Sequence, residues 1–136
     1  MKYSLLIISI FTISFFSACS DQNSATPAVD DRDKFTGSWI CKENIGTTSS
    51  SFTVDISKYG SGDSINLKNF SNYGASAIAV GEVSVNSLTI HTQLIGITNI
   101  QVGGSGIYSG STNANEKITM NYSTDGQSAN AIFTRH

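Results

Sequence analysis

The chain has 136 residues, of which 39% are hydrophobic and 13% charged, with 8 basic side chains against 10 acidic ones. That length holds one domain with one core, and the mildly acidic balance excludes the basic surface that nucleic-acid binding requires. Ser, Thr, Asn and Gly fill the polar positions, and no stretch is enriched in strong helix formers, so the composition points to β-strands joined by tight turns.

Met1 and Lys2 give a short basic start to the apolar run YSLLIISIFTISFF, which ends in small residues. This is the three-part plan of a secretory signal, and it is too short and too weakly flanked for a permanent membrane span. The next residues, Phe16, Ser17, Ala18 and Cys19, resemble the lipobox of bacterial lipoproteins, with Phe16 where Leu is usual. In that family the cysteine is acylated and becomes the new N-terminus. The resemblance implies a signal peptide over 1–18, lipid attachment at Cys19 through palmitate-type acyl chains, and a membrane anchor. Several acyl chains bury much more methylene than the single chain that anchors only marginally, at ~0.8 kcal/mol per CH₂. A disulfide between Cys19 and Cys41 is the competing reading, permitted in an oxidising envelope. With Cys19 acylated, Cys41 is left as a small buried hydrophobe, on the core face by its parity with Trp39.

Residues 19–34 hold the only proline and four aspartates, Asp21, Asp30, Asp31 and Asp33, with almost nothing to bury, and read as a flexible tether. Ser20 directly after the cysteine resembles lipoproteins sent on to the outer membrane. Asp21 close behind loosely resembles the export signal of surface lipoproteins in Bacteroidota. The plainer reading is that the aspartates keep a linker extended and solvated, and the face of the outer membrane stays open.

From Phe35 to the C-terminus, residues 35–136, the chain breaks into alternating segments separated by turn residues. Eight strands are expected, over 35–43, 51–57, 64–70, 76–83, 87–93, 98–109, 116–124 and 127–135. The last pair carries its own register. Asp125-Gly126 suits a type I′ hairpin turn, which sets Thr124 opposite Gln127. Tyr122 then meets Ala129, Met120 meets Ala131 and Ile118 meets Phe133, large side chains against mostly small ones on one apolar face. A slip of one residue would put them opposite Ser128, Asn130 and Ile132.

The same alternation turns Phe52, Val54 and Ile56 inward on the second strand and Ile65 and Leu67 on the third, while Phe70 breaks that phase. On the sixth strand Ile100, Val102 and Tyr108 share a face with Gly104 and Gly106, and glycines inside a strand mark a sharp bend or a close backbone approach that suits a closed barrel. GGSG is not a phosphate loop, since it lacks the spacing, the lysine and the following helix.

In FTGSW, Gly37, Ser38 and Trp39 match the G-x-W signature that opens the barrel in lipocalins and fatty-acid-binding proteins. Arg135 stands where that superfamily often packs an arginine across the tryptophan. The resemblance implies an all-β fold, an antiparallel meander of about eight strands closed into a small lipocalin-like barrel, with Trp39, Arg135 and Glu116 as a structural group. Arg135 as a solvated terminal charge is the other reading. The domain also looks like small lipoproteins of Bacteroidota with a lipocalin-like barrel, through VDISKYGSGDSINLKNFSNYG, VNSLTIHTQ, GSGIYSG and ITMNYSTDG. That likeness implies fold and location and no catalytic residue.

His91 and His136 are the only histidines, one mid-chain and one terminal, and neither has the spacing of a metal site or a catalytic triad. Asp55, Asp63, Asp125, Glu43, Glu82 and Glu116 fall mostly at turns or outward positions, where a lone carboxylate is solvated surface. No enzyme, metal or cofactor is expected. Two functions remain. In one, the barrel binds a small apolar ligand among Trp39, Tyr108, Met120, Tyr122 and Phe133. In the other, the core is solid and the segments 44–51 and 71–76, with Tyr59 and Tyr73, contact a protein or glycan of the cell envelope.

Overall fold

The computed structural model describes residues 29–111 and 115–135. The expected signal peptide, Cys19, the first part of the tether and His136 lie outside the described residues. A 3-10 helix, η1 (Asp31–Lys34), leads into eight strands: β1 (Gly37–Ile45), β2 (Thr48–Lys58), β3 (Ser64–Lys68), β4 (Ile78–Ser84), β5 (Ser87–Ile95), β6 (Ile100–Ser109), β7 (Lys117–Thr124) and β8 (Gln127–Arg135). A second short 3-10 turn, η2 (Phe70–Asn72), lies between β3 and β4. Each strand pairs antiparallel with the next, and β8 returns to β1, closing an eight-stranded barrel. Closure leaves no sheet edge open to another chain.

Strand alternation decides what lies inside. Trp39 and Cys41 on β1, Val54 and Ile56 on β2, Ile65 and Leu67 on β3, and Ile118, Met120 and Tyr122 on β7 are buried in one continuous apolar cluster, against which Phe52 packs. The β7–β8 ladder has the register read from the sequence, with Thr124 opposite Gln127, Tyr122 opposite Ala129, Met120 opposite Ala131 and Ile118 opposite Phe133. Asp125 and Gly126 both take positive φ, at 49° and 80°, as a type I′ turn requires.

Gly104 and Gly106 face inward with Val102 and Tyr108. A Cβ on Gly104 would stand 2.4 Å from the Asn121 carbonyl oxygen and 2.4 Å from Tyr122 Cβ. One on Gly106 would stand 2.5 Å from Met120 Cγ. The missing side chains are thus replaced by the β7 residues that press against β6.

Several expectations need correction. The tether does not extend to residue 34: Asp30 caps η1, its carboxylate accepting from the Arg32 backbone N–H at 3.0 Å. Arg32 folds back onto Asp30 at 2.7 Å, and Lys58 bridges Asp30 at 2.8 Å and Asp33 at 2.6 Å. Asp31 accepts from the Val85 N–H at 3.1 Å, so three of the four aspartates pin the chain entry to the barrel instead of solvating a linker. The segment 44–51 is mostly strand, with only Gly46 and Thr47 as its turn. β3 ends at Lys68 because Asn69 takes a left-handed conformation, φ 64°, which swings Phe70 off the strand and into the barrel mouth.

β5 carries a bulge between Ile90 and Gln93. Beside it the Gln93 amide takes the place of a missing peptide: Oε1 accepts from the Val80 N–H at 2.9 Å, and Nε2 donates to the Val80 carbonyl at 2.6 Å and to that of His91 at 3.1 Å. Gln93→Ala leaves both polar groups of Val80 without these partners, and its expected cost is about 2 kcal/mol. Urea unfolding and amide exchange at Val80 check this, the exchange rising locally before the global transition.

Candidate functional site

The two ends of the barrel are closed in different ways. At the end where the chain enters, Phe35 stacks on Tyr108 with centroids 5.6 Å apart, and Trp39 Nε1 donates to the Phe35 carbonyl at 2.7 Å. Arg135 crosses the Trp39 ring, its Cζ 4.1 Å from the ring centroid. Its guanidinium donates to Glu116 at 2.5 Å, to the Thr36 carbonyl at 2.5 Å and to the Lys34 carbonyl at 2.9 Å.

Gly37 opens this arrangement for two reasons. Its φ of +122° is one that L side chains rarely adopt, and a Cβ there would lie 2.7 Å from Arg135 Nη1. The hydrogen bond from Arg135 holds the Glu116 carboxyl below the usual glutamate range, and burial followed by the Glu116 neighbour pushes the Tyr108 phenol up. At the edge of the same end, hydrogen bonds from Arg32 and then Lys58 hold Asp30 far below the ordinary aspartate range. Each guanidinium nitrogen of Arg135 donates to the protein itself, so this end is a structural plug.

The opposite end holds a polar group inside the wall. Glu43 follows Trp39 and Cys41 in strand parity and points inward, where it is 4% exposed. This corrects the expectation of a solvated carboxylate. It accepts hydrogen bonds from the Tyr122 hydroxyl, from Ser71 Oγ at 2.9 Å and from Ser50 Oγ at 3.3 Å. Ser71 and Phe70 come from η2, which lies over this mouth. Phe70 is fully buried, and its ring sits 4.7 Å from that of Tyr122, tilted by 46°.

The segment that delivers these residues is backbone-strained. Asn69, Ser71 and Asn72 all have left-handed φ, at 64°, 52° and 60°. The Asn69 amide steadies it, donating to the Thr53 carbonyl at 2.8 Å and accepting from Gly74 N–H at 2.8 Å. Tyr73 is 41% exposed at the rim, its hydroxyl accepting from Thr124 Oγ1 at 3.4 Å.

The five expected ligand residues do not form one lining. Trp39 and Tyr108 belong to the plugged end and Tyr122 to the Glu43 end. Phe133 lies opposite Cys41 and Met120 opposite Ala131 along the wall. All five are buried. The site residues that sequence reading missed are Glu43 and Ser71. Glu43 was legible, since strand parity from Trp39 leads straight to it. Ser71 carried no signal, because its role depends on the left-handed turn at Asn69.

Cys41 lies two residues before Glu43 on the same face and is a buried free thiol. Burial, and then the Glu43 charge, push its pKa up to about 12. The thiolate is therefore nearly absent at neutral pH, and Ellman's reagent is expected to label Cys41 at least about a hundredfold more slowly in the native chain than in denaturant. Labelling at the denatured rate would show that the mouth stands open. On the outer wall, one groove of about 450 Å³ runs past Asp63, Glu82 and His91, with His91 and Glu82 3.2 Å apart. Another, of about 340 Å³, crosses Asn44, Asn121, Asn130 and Ile132.

No protein-family model and no curated protein matches the chain. Two redesigned β-barrels among solved structures are similar to it. One is "mFAP1, bound to DFHBI", with a TM-score of 0.57 at 15% identity, covering 79% of this chain and all of the other. The other is "b11L5F_LGL", with a TM-score of 0.57 at 12% identity, covering 80% of this chain and 97% of the other. At such identities the likeness establishes the barrel fold.

Proposed function

We propose that the chain is a non-enzymatic lipoprotein of a bacterial outer membrane, anchored through acylated Cys19, whose barrel binds a small apolar or amphipathic ligand at the Glu43 mouth. The observation that carries the binding reading is the buried Glu43 carboxyl in an otherwise apolar interior. Burying an ionisable group contributes little to stability. One of its three donors comes from a serine held in a left-handed conformation that costs about 1–3 kcal/mol. Two unfavourable features on one spot mark a place kept for recognition. The redesigned barrel whose title states that it is bound to DFHBI supports the reading that such a fold accepts small molecules. The anchor is supported by the apolar run before Phe16, Ser17, Ala18 and Cys19.

The exposed rings of Tyr59 and Tyr73, at 54% and 41%, favour a second reading in which loops on a solid barrel hold a protein or glycan. Native mass spectrometry of the full chain, purified from its own membrane, separates the two. A co-purifying small molecule, on a chain whose N-terminus carries the mass of acyl groups, is the expected result. An empty chain in complex with an envelope partner overturns the carrier reading, and an intact leader overturns the anchor.

A further inference from the structure

We infer that Phe70 and Ser71 occupy the place of the ligand, which is a small aromatic amine. This rests on the reading of the Glu43 mouth as a binding site. Two adjacent residues of η2 deliver a phenyl ring to the Tyr122 face and a hydrogen-bond donor to the Glu43 carboxyl. Both are buried, and both come from a turn bounded by left-handed Asn69 and by Gly74 at φ 87°. Apart from these two side chains, the turn is tied down by the Asn69 amide, by the Phe70 N–H to the Ala77 carbonyl at 3.1 Å, by the Ala77 N–H to the Gly74 carbonyl at 2.9 Å, and by the long 3.4 Å bond from Thr124 Oγ1 to the Tyr73 hydroxyl.

If the turn lifts, it vacates a ring-sized apolar space and leaves a carboxyl short of a donor. A molecule that fills both must pair an aromatic ring with a donor. An ammonium complements Glu43 better than a hydroxyl does, since charge-assisted hydrogen bonds are the stronger kind. A carboxylate-bearing ligand would meet Glu43 as a like charge. Tyr122 supplies the stacking face, and its hydroxyl steadies the far side of the carboxyl. The closed barrel is therefore self-occupied, and the ligand competes with the protein's own side chains.

Calorimetric titration of the full chain in detergent with 2-phenylethylamine tests this, with 3-phenylpropionate as the anionic counterpart. Phe70→Ala removes the internal competitor, so the amine is expected to bind that variant about tenfold or more tighter than the parent, as removal of an occluded population requires. Glu43→Gln added to Phe70→Ala is expected to lose about tenfold or more. Equal binding of the amine to parent and Phe70→Ala, equal binding of the propionate, or indifference to Glu43→Gln each overturns the inference. Circular dichroism checks that Phe70→Ala keeps its strands. If it does not, Phe70→Leu takes its place and must show the same ordering of ligands. The two readings fail separately: a native ligand that is an acid or a long-chain lipid would sink the aromatic amine and leave the binding module standing, whereas an empty chain in complex with an envelope partner would sink the binding module itself.

Discussion

Gly104→Ala is expected to lower the unfolding free energy by about 3 kcal/mol, the upper part of the range for overpacking a filled core. The reason lies in what the added methyl meets. Its neighbours are the Asn121 carbonyl and the Cα and Cβ of Tyr122, all within 2.5 Å of the Cβ position, and none of them is the free end of a flexible side chain. Relief requires β6 to move from β7, which breaks the ladder on both sides of the Gly104–Tyr122 pair. Ser105→Ala, one residue on but outward and exposed, is expected to change stability by no more than about 0.5 kcal/mol. Urea unfolding of the two variants makes the comparison. Equal midpoints would mean that the close approach of β7 at Gly104 is not under packing constraint.

Arg135→Ala is expected to cost about 3 kcal/mol at neutral pH, since removing one partner of a largely buried ion pair leaves the other uncompensated. The side chain also covers Trp39 and satisfies the carbonyls of Lys34 and Thr36, which lose this donor in the variant. The pH dependence identifies the ionic share. Glu116 is held below its ordinary value in the folded state, so the unfolded chain binds its proton first as the pH drops. The stabilisation is in place above the unfolded value of about 4.3 and is lost as pH falls through the lower folded value. The gap between parent and Arg135→Ala is therefore expected to narrow from pH 7 to pH 3. Asp30 titrates in the same acid direction in both proteins and cancels from the difference. A gap that stays constant would assign Arg135 a packing role alone.

Strand-level features were readable because they repeat. Tyr122, Met120 and Ile118 alternate with polar residues across from Ala129, Ala131 and Phe133, so one turn at Asp125 determined a whole ladder. Arg135 could be placed because the G-x-W resemblance implies an arginine across Trp39, and closure makes the first and last strands neighbours. The candidate site was harder. Glu43 obeyed the alternation, but a lone carboxylate on a strand is usually solvated, and that expectation overrode the parity that Cys41 had already set. Phe70 announced a break in phase without saying what followed, since a left-handed asparagine redirects the chain in a way that hydrophobic periodicity does not record. Asp30, Asp31 and Asp33 looked like linker because several of their partners, Lys58 and the Val85 N–H among them, are distant in sequence. Charge pairing across such separations leaves no local pattern.

The pairing of β1 with β8 sets when this chain acquires its shape. Residues 39–45 find their second neighbour only in residues 129–135, so the ring is incomplete until those residues are in place. Joining such distant segments is entropically slow. Closure of the β1–β8 seam is therefore expected to be a late step in folding, after the local hairpins along the meander have paired.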